Sequence, residues 1–105
     1  MNYWNVIFLP EAEKERASLD TSVRNQVDKA IRKVSQNPLP KSEGGYGNPL
    51  GHRNGKNLTG LFKIKLKKLG LRIVYKLVRD GEKMCIIVVA TRADDEVYEI
   101  AGERV

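Results

Sequence analysis

The sequence predicts an α+β fold: a small antiparallel β-sheet with a mixed edge, preceded by two helices and closed by a short third one. Three observations predict it. Phe62-Lys63-Ile64-Lys65-Leu66-Lys67 alternates apolar and cationic residues with period two, the pattern of a strand with one buried face. Two further runs, about Leu71–Arg79 and Glu82–Thr91, follow across short turns containing Gly70 and Gly81, which makes a three-stranded antiparallel unit. Upstream, Val23, Val27, Ala30, Ile31 and Val34 recur at the spacing of one helix face.

In chain order, Tyr3-Trp4-Asn5-Val6-Ile7-Phe8 reads as a first strand, closed by Pro10. Pro10 to Ala17 reads as a helix, with proline in its first turn and Glu11 and Glu13 favourable to its dipole. After a break at Asp20-Thr21-Ser22, a second helix runs to about Asn37, where Asn37-Pro38 ends it. Its other face, with Arg24, Asp28, Lys29, Arg32 and Lys33, is expected to serve solvation. Residues 38–57, rich in Gly, Pro, Asn and Ser, are too long for a simple connection and read as a functional loop or a mobile insert. His52 is expected there as a solvent-exposed loop histidine. With no Cys or carboxylate beside it at ligand spacing, no metal site is expected.

The sheet then starts at about Leu58–Lys67. If the lysine-free parity faces the core, Leu66 shares a face with Ile73 and Ile64 with Tyr75. That demands an even-length turn around Leu69-Gly70 and places Arg72 opposite Lys67 and diagonal to Lys65. The turn at Asp80-Gly81 is open to two readings. A two-residue turn puts Arg92 on the core parity, whereas a three-residue turn with Gly81 left-handed puts it on the face of Arg72. A short helix follows from Asp94. Tyr75 and Trp4 are expected in the core, and Cys85 as a buried small hydrophobe.

The 105 residues are read as a single domain, 1–105, large enough to bury a core without disulfides. The lone cysteine excludes an intrachain disulfide and fits a reducing compartment. No apolar stretch spans a bilayer and no signal-peptide pattern opens the chain, so a cytoplasmic address is expected, with no membrane partner. Net charge is +6, and its distribution matters more than its size. Residues 44–79 hold no acid and nine basic residues, whereas Asp94, Asp95, Glu96, Glu99 and Glu103 crowd the tail. Such a block fits a polyanion, nucleic acid first, or a plain solvated face.

Lysines two apart on a strand lie roughly 6.5–7 Å from each other on one face, close to a phosphate repeat. Crowded cations also depress one another's pKa, so a lysine or tyrosine among them becomes a usable base. Metal-free RNA cleavage needs a base for the 2′-hydroxyl, cations around the phosphorane-like transition state and an acid for the leaving 5′-oxygen. Lys63, Lys65 and Arg72 come from adjacent strands and Arg92 from the end of the last one. Tyr98 joins them if the terminal helix folds back over the sheet. Lys67, Lys68, Lys76, Arg53 and Lys56 are expected as RNA phosphate contacts, or simply as solubilising charges.

The C-terminal half resembles the RelE family of bacterial toxins, within the RelE/ParE superfamily. The matching pieces are Leu58-Thr59-Gly60, Lys63-Ile64-Lys65-Leu66, Gly70-Leu71-Arg72-Ile73-Val74-Tyr75, and Arg92 followed by Glu96-Val97-Tyr98. The resemblance implies two N-terminal helices on one face of the sheet and an active site on the other. It implies a toxin of a type II toxin–antitoxin system that cuts mRNA in the ribosomal A site by 2′-hydroxyl attack, leaving a 2′,3′-cyclic phosphate, without metal or cofactor. Lys63 and Lys65 match the family's catalytic lysines, Arg72 its phosphate-stabilising arginine, Arg92 its proposed acid and Tyr98 its proposed base or stacking tyrosine. The division of the base role between Lys65 and Tyr98 stays open. Implied partners are a cognate antitoxin, the ribosome and mRNA, with operator DNA reached only through the antitoxin complex. The alternative is a ParE-like, non-nucleolytic toxin that inhibits DNA gyrase. Asp94 and Asp95 stand where the family commonly has a basic residue, and are expected to weaken RNA affinity there or to ion-pair Arg92.

Overall fold

A computed structural model describes residues 3–53 and 56–105, with the side chains of 52, 53 and 56 left aside. The expectations for His52, Arg53 and Lys56 therefore lie outside the described residues. The elements run β1 (Asn5–Phe8), α1 (Pro10–Ala17), α2 (Thr21–Ser35), β2 (Asn48–Arg53), β3 (Lys56–Leu66), β4 (Leu71–Val78), β5 (Lys83–Ala90) and α3 (Asp94–Arg104). The strands form one sheet in the order β1-β5-β4-β3-β2, with β1 parallel to β5 and the other neighbours antiparallel. This is the α+β architecture with a mixed edge that the sequence predicts.

The sheet is covered on both faces, and the alternation along β3 and β4 assigns the covers. Phe62, Ile64, Ile73 and Tyr75 pack with Ala12 of α1 and with Val27, Ile31 and Val34 of α2. Leu61, Val74, Val88 and Ala90 pack on the other side with Val97, Tyr98 and Ala101 of α3. Tyr75 is fully buried, its ring stacked on Phe62 at 5.2 Å. Trp4 is partly buried against the first cluster, and Cys85 is half-buried beside the second.

Several expectations need correction. The segment 38–57 is not all loop: Asn48–Arg53 forms edge strand β2, paired with β3. Asn48, Pro49 and Gly51 hide this strand, because their propensities oppose it and pairing with β3 overrides them. Before it, the chain is pinned by the Tyr75 hydroxyl, which donates to the Pro38 carbonyl at 2.9 Å. Gly47 is needed there, since a Cβ would stand 2.8 Å from the carbonyl oxygens of both Leu39 and Pro38. The charged face of α2 is more than solvation. Arg16 of α1 forks onto Asp28 with two bonds of 2.6 Å, and Arg32 lies over the Tyr3 ring at 4.9 Å.

The first hairpin has the expected parity but a different register. Its turn, Lys67–Gly70, pairs Leu66 with Leu71, so Arg72 faces Lys65 directly instead of Lys67. Gly70 closes it with a left-handed φ of 61°. In the second hairpin neither turn reading holds. Val78 pairs with Lys83 around the four residues 79–82. The parity change comes later, from a bulge: Val74 pairs with Val88 and Tyr75 with Ile86, which leaves Ile87 as an extra residue. The bulge sets Ala90 across from Arg72, so β5 ends on the cationic face.

β1 pairs only with Lys83–Ile86, and the chain then turns through Leu9 into α1. The remaining edge of β5 is capped by side chains. Glu15 accepts the Val89 N–H at 3.1 Å and both guanidinium nitrogens of Arg104, at 2.9 and 3.0 Å. Arg104 also donates to the Ile87 carbonyl at 2.9 Å, so the end of α3 is tied to the bulge and to α1.

Candidate active site

Lys63 and Lys65 project from β3 on the face opposite α1 and α2, and Arg72 projects beside them from β4. The strand period and the β3–β4 register produce this grouping. Lys65 and Arg72 are direct cross-strand partners, while Lys63 pairs with Val74 and, on its other side, with Asn48 of β2. Like charges directly opposite one another repel across a sheet, so the pair calls for an anion. Asp94, the first residue of α3, supplies it. Lys65 Nζ donates to Asp94 Oδ2 at 3.1 Å, and Arg72 Nε donates to Asp94 Oδ1. Arg72 Nη1 donates at 3.1 Å to the Gly70 carbonyl, which orients the guanidinium from behind.

Asp94 thus brackets both cations and is one-third exposed. Desolvation pushes its carboxyl upward. The hydrogen bonds and charges of Arg72 and Lys65 outweigh that and hold it below its ordinary range. Of the two outcomes the sequence allows for Asp94, the ion pair with Arg92 does not form. Instead Arg92 lies exposed after β5 and faces Glu96 at 3.6 Å, one helical turn along α3. The difference is one of reach: the first turn of α3 points Asp94 into the sheet face and leaves Arg92 outside it.

Tyr98 does come over the sheet, as the folding back of α3 requires, but it is buried with only 3% of its surface exposed. It packs with Val97, Ala101, Val74 and Val88. The structure therefore brings Lys63, Lys65, Arg72 and Tyr98 to one face under α3, and sets Arg92 at its rim. Lys67 and Lys68 are exposed in the turn after β3. With Lys65, Leu66, Leu69 and Gln26 of α2 they line an open cleft of about 360 Å³. Lys76 is exposed farther along β4, between Leu61 and Cys85. A larger open cleft, about 530 Å³, lies between β1 and α2 and includes none of the proposed catalytic residues.

Two pairings escaped the sequence reading. Asp94 reaches Arg72 and Lys65 across 22 and 29 residues, and Glu15 reaches Arg104 across 89. No local pattern carries such pairings. Chemically, the face offers a row of cations, a carboxylate lodged among them and a tyrosine beneath a helix. Among the described residues no group of three His, Cys, Asp or Glu could hold a metal ion, and no helix is long and apolar enough to cross a membrane.

No protein-family model matches the chain. The mRNA interferase toxin RelE of Escherichia coli strain K12 is 30% identical over 98 residues, covering 93% of each chain. Among solved structures, an arginine double mutant of the E. coli toxin RelE in the free state superposes with a TM-score of 0.75 at 26% identity, over 99% of both chains. The toxin in the crystal structure of the intact E. coli RelBE toxin–antitoxin complex gives 0.65 at 26% identity, over 86% of this chain and 98% of that one.

Proposed function

Because the chain belongs to the RelE family of toxins of toxin–antitoxin systems, we propose that it is an mRNA endonuclease working on the translating ribosome. The observation that carries this reading is Lys65 set directly across from Arg72, on the face covered by the helix that bears Tyr98. Two cations at that position suit a phosphodiester that gains negative charge on the way to a pentacoordinate phosphorane. A protein-binding inhibitor of gyrase has no use for such a set.

In the proposed reaction, Lys65 or Tyr98 removes the proton from the ribose 2′-hydroxyl. The 2′-oxygen bonds to phosphorus, the bond to the 5′-oxygen breaks, and a 2′,3′-cyclic phosphate remains on the upstream fragment. Arg72 and Lys63 neutralise the non-bridging oxygens, and Arg92 supplies the proton to the leaving 5′-oxygen. All the required charges are side chains, and the proposed step uses no metal. Lys67, Lys68 and Lys76 contact ribosomal or messenger phosphates. Lys65 is engaged by Asp94 and Tyr98 is buried, so the productive state requires the first turn of α3 to shift.

The reading includes a cognate antitoxin, since an unrestrained mRNA nuclease would kill its producer. The RelE relative is found in a RelBE complex with its own antitoxin. The antitoxin is proposed to cover the basic face and α3, to bring the toxin to operator DNA, and to do so in the cytoplasm. The test is to map mRNA 5′-ends on translating ribosomes after brief induction. Cuts within A-site codons are expected, with toxicity lost in folded Arg92→Ala and Tyr98→Phe variants. Full toxicity in both would sink the assigned site, and DNA damage without mRNA cuts would point to a gyrase inhibitor.

A further inference from the structure

We propose that Asp94 is a built-in competitor for the RNA phosphate: its carboxylate occupies the anion position between Lys65 and Arg72, and a substrate phosphodiester binds by displacing it. The inference rests on the nuclease reading and names the residue that sets how readily the site opens.

The geometry is that of a filled anion site. Each oxygen of one carboxylate takes a different cation, Oδ2 from Lys65 and Oδ1 from Arg72. Two non-bridging phosphate oxygens present the same pair of acceptors. Arg72 is held from behind by the Gly70 carbonyl, so its Nε keeps its aim whether the anion is carboxylate or phosphate. Glu96 turns to Arg92 outside the sheet face.

Docking of α3 does not depend on this contact. Val97, Tyr98 and Ala101 seat the helix on the sheet, and Arg104 with Glu15 ties its far end. The Asp94 contact therefore acts on the first turn alone. A competing carboxylate resists free RNA and admits a strand held in place by a larger assembly.

The experiment measures binding without cleavage. A labelled 2′-O-methyl oligoribonucleotide, which lacks the attacking hydroxyl, is titrated by anisotropy with the full chain and with Asp94→Asn and Asp95→Asn. Asp95→Asn makes the same change in net charge one residue away. Asp94→Asn is expected to bind about five- to tenfold more tightly, because the phosphate no longer has to displace a carboxylate from Lys65 and Arg72. Asp95→Asn is expected to gain about twofold or less. Equal gains in the two variants, or no gain in Asp94→Asn, would overturn the proposal. The wild-type chain gives a second reading. Its Asp94 carboxyl and Arg72 Nε–H resonances must move when the oligonucleotide binds, and binding with both unmoved refutes displacement. If Asp94→Asn binds more tightly while no chain cuts mRNA on ribosomes, the nuclease reading fails and the competitor stands. If wild type cuts and Asp94→Asn binds no better, the competitor fails alone.

Discussion

Replacing Glu15 by alanine tests whether the capped edge of β5 holds the C-terminal end of α3 in place. Glu15 accepts three hydrogen bonds: one from the Val89 N–H and a fork from Arg104. Its side chain is 27% exposed and that of Arg104 is 17% exposed, so both charges are partly withdrawn from water. The alanine variant leaves the Val89 N–H without its acceptor, at a cost of about 1 kcal/mol for a half-buried donor. It also strips a charge-assisted fork from Arg104, about 1–2 kcal/mol after allowing for exposure. Alanine returns a few tenths through its helix propensity. The expected net loss is about 2 kcal/mol, and a fall in Tm of roughly 8–16 °C for a domain of this size. Urea unfolding followed by circular dichroism measures it. Glu15→Gln, which keeps an acceptor for Val89, should lose about half as much. A double-mutant cycle with Arg104→Ala should return a coupling of about 1–2 kcal/mol. A loss below about 0.5 kcal/mol with no coupling would show that the network is incidental and that apolar contacts alone seat α3.

Two further predictions concern stability. Tyr75→Phe keeps the stack on Phe62 but orphans the Pro38 carbonyl, so it should cost about 1–2 kcal/mol in urea unfolding; an unchanged midpoint would mean that the segment before β2 is held by other contacts. The Asp94 carboxyl sits below its ordinary value of 3.8 in the folded chain, so between the folded and unfolded pKa the unfolded state binds more protons and stability rises with pH. The clamp's contribution is therefore complete above pH 3.8 and fades as pH falls through the lower folded value. Carboxyl NMR should place the Asp94 midpoint below 3.8, and a midpoint at or above it would mean that Arg72 and Lys65 do not hold the carboxylate.

The α+β class, the two helices, the three antiparallel strands and the grouping of Lys63, Lys65 and Arg72 were all legible in the chain. They follow from period-two and period-3.6 alternation, which is written locally. What the alternation leaves open is register. A slip of two residues keeps every side chain on its face, so Arg72 could face Lys67 or Lys65 without disturbing the core. Pairing of Leu66 with Leu71 decides it. The same holds for β5, where an extra residue at Ile87 does the parity change that turn chemistry was expected to do.

The sequence by itself determined the chemistry on offer: cations on one strand face, an arginine at the end of the sheet and a tyrosine in the last helix. Only the tertiary structure decided what state that chemistry is in. It laid α3 over the sheet, buried Tyr98, left Arg92 at the rim and lodged Asp94 between Lys65 and Arg72. The physical reason is range. Alternation and capping act over a few residues, whereas a carboxylate finds its cations by distance in space, and here those partners are 22 and 29 positions away along the chain.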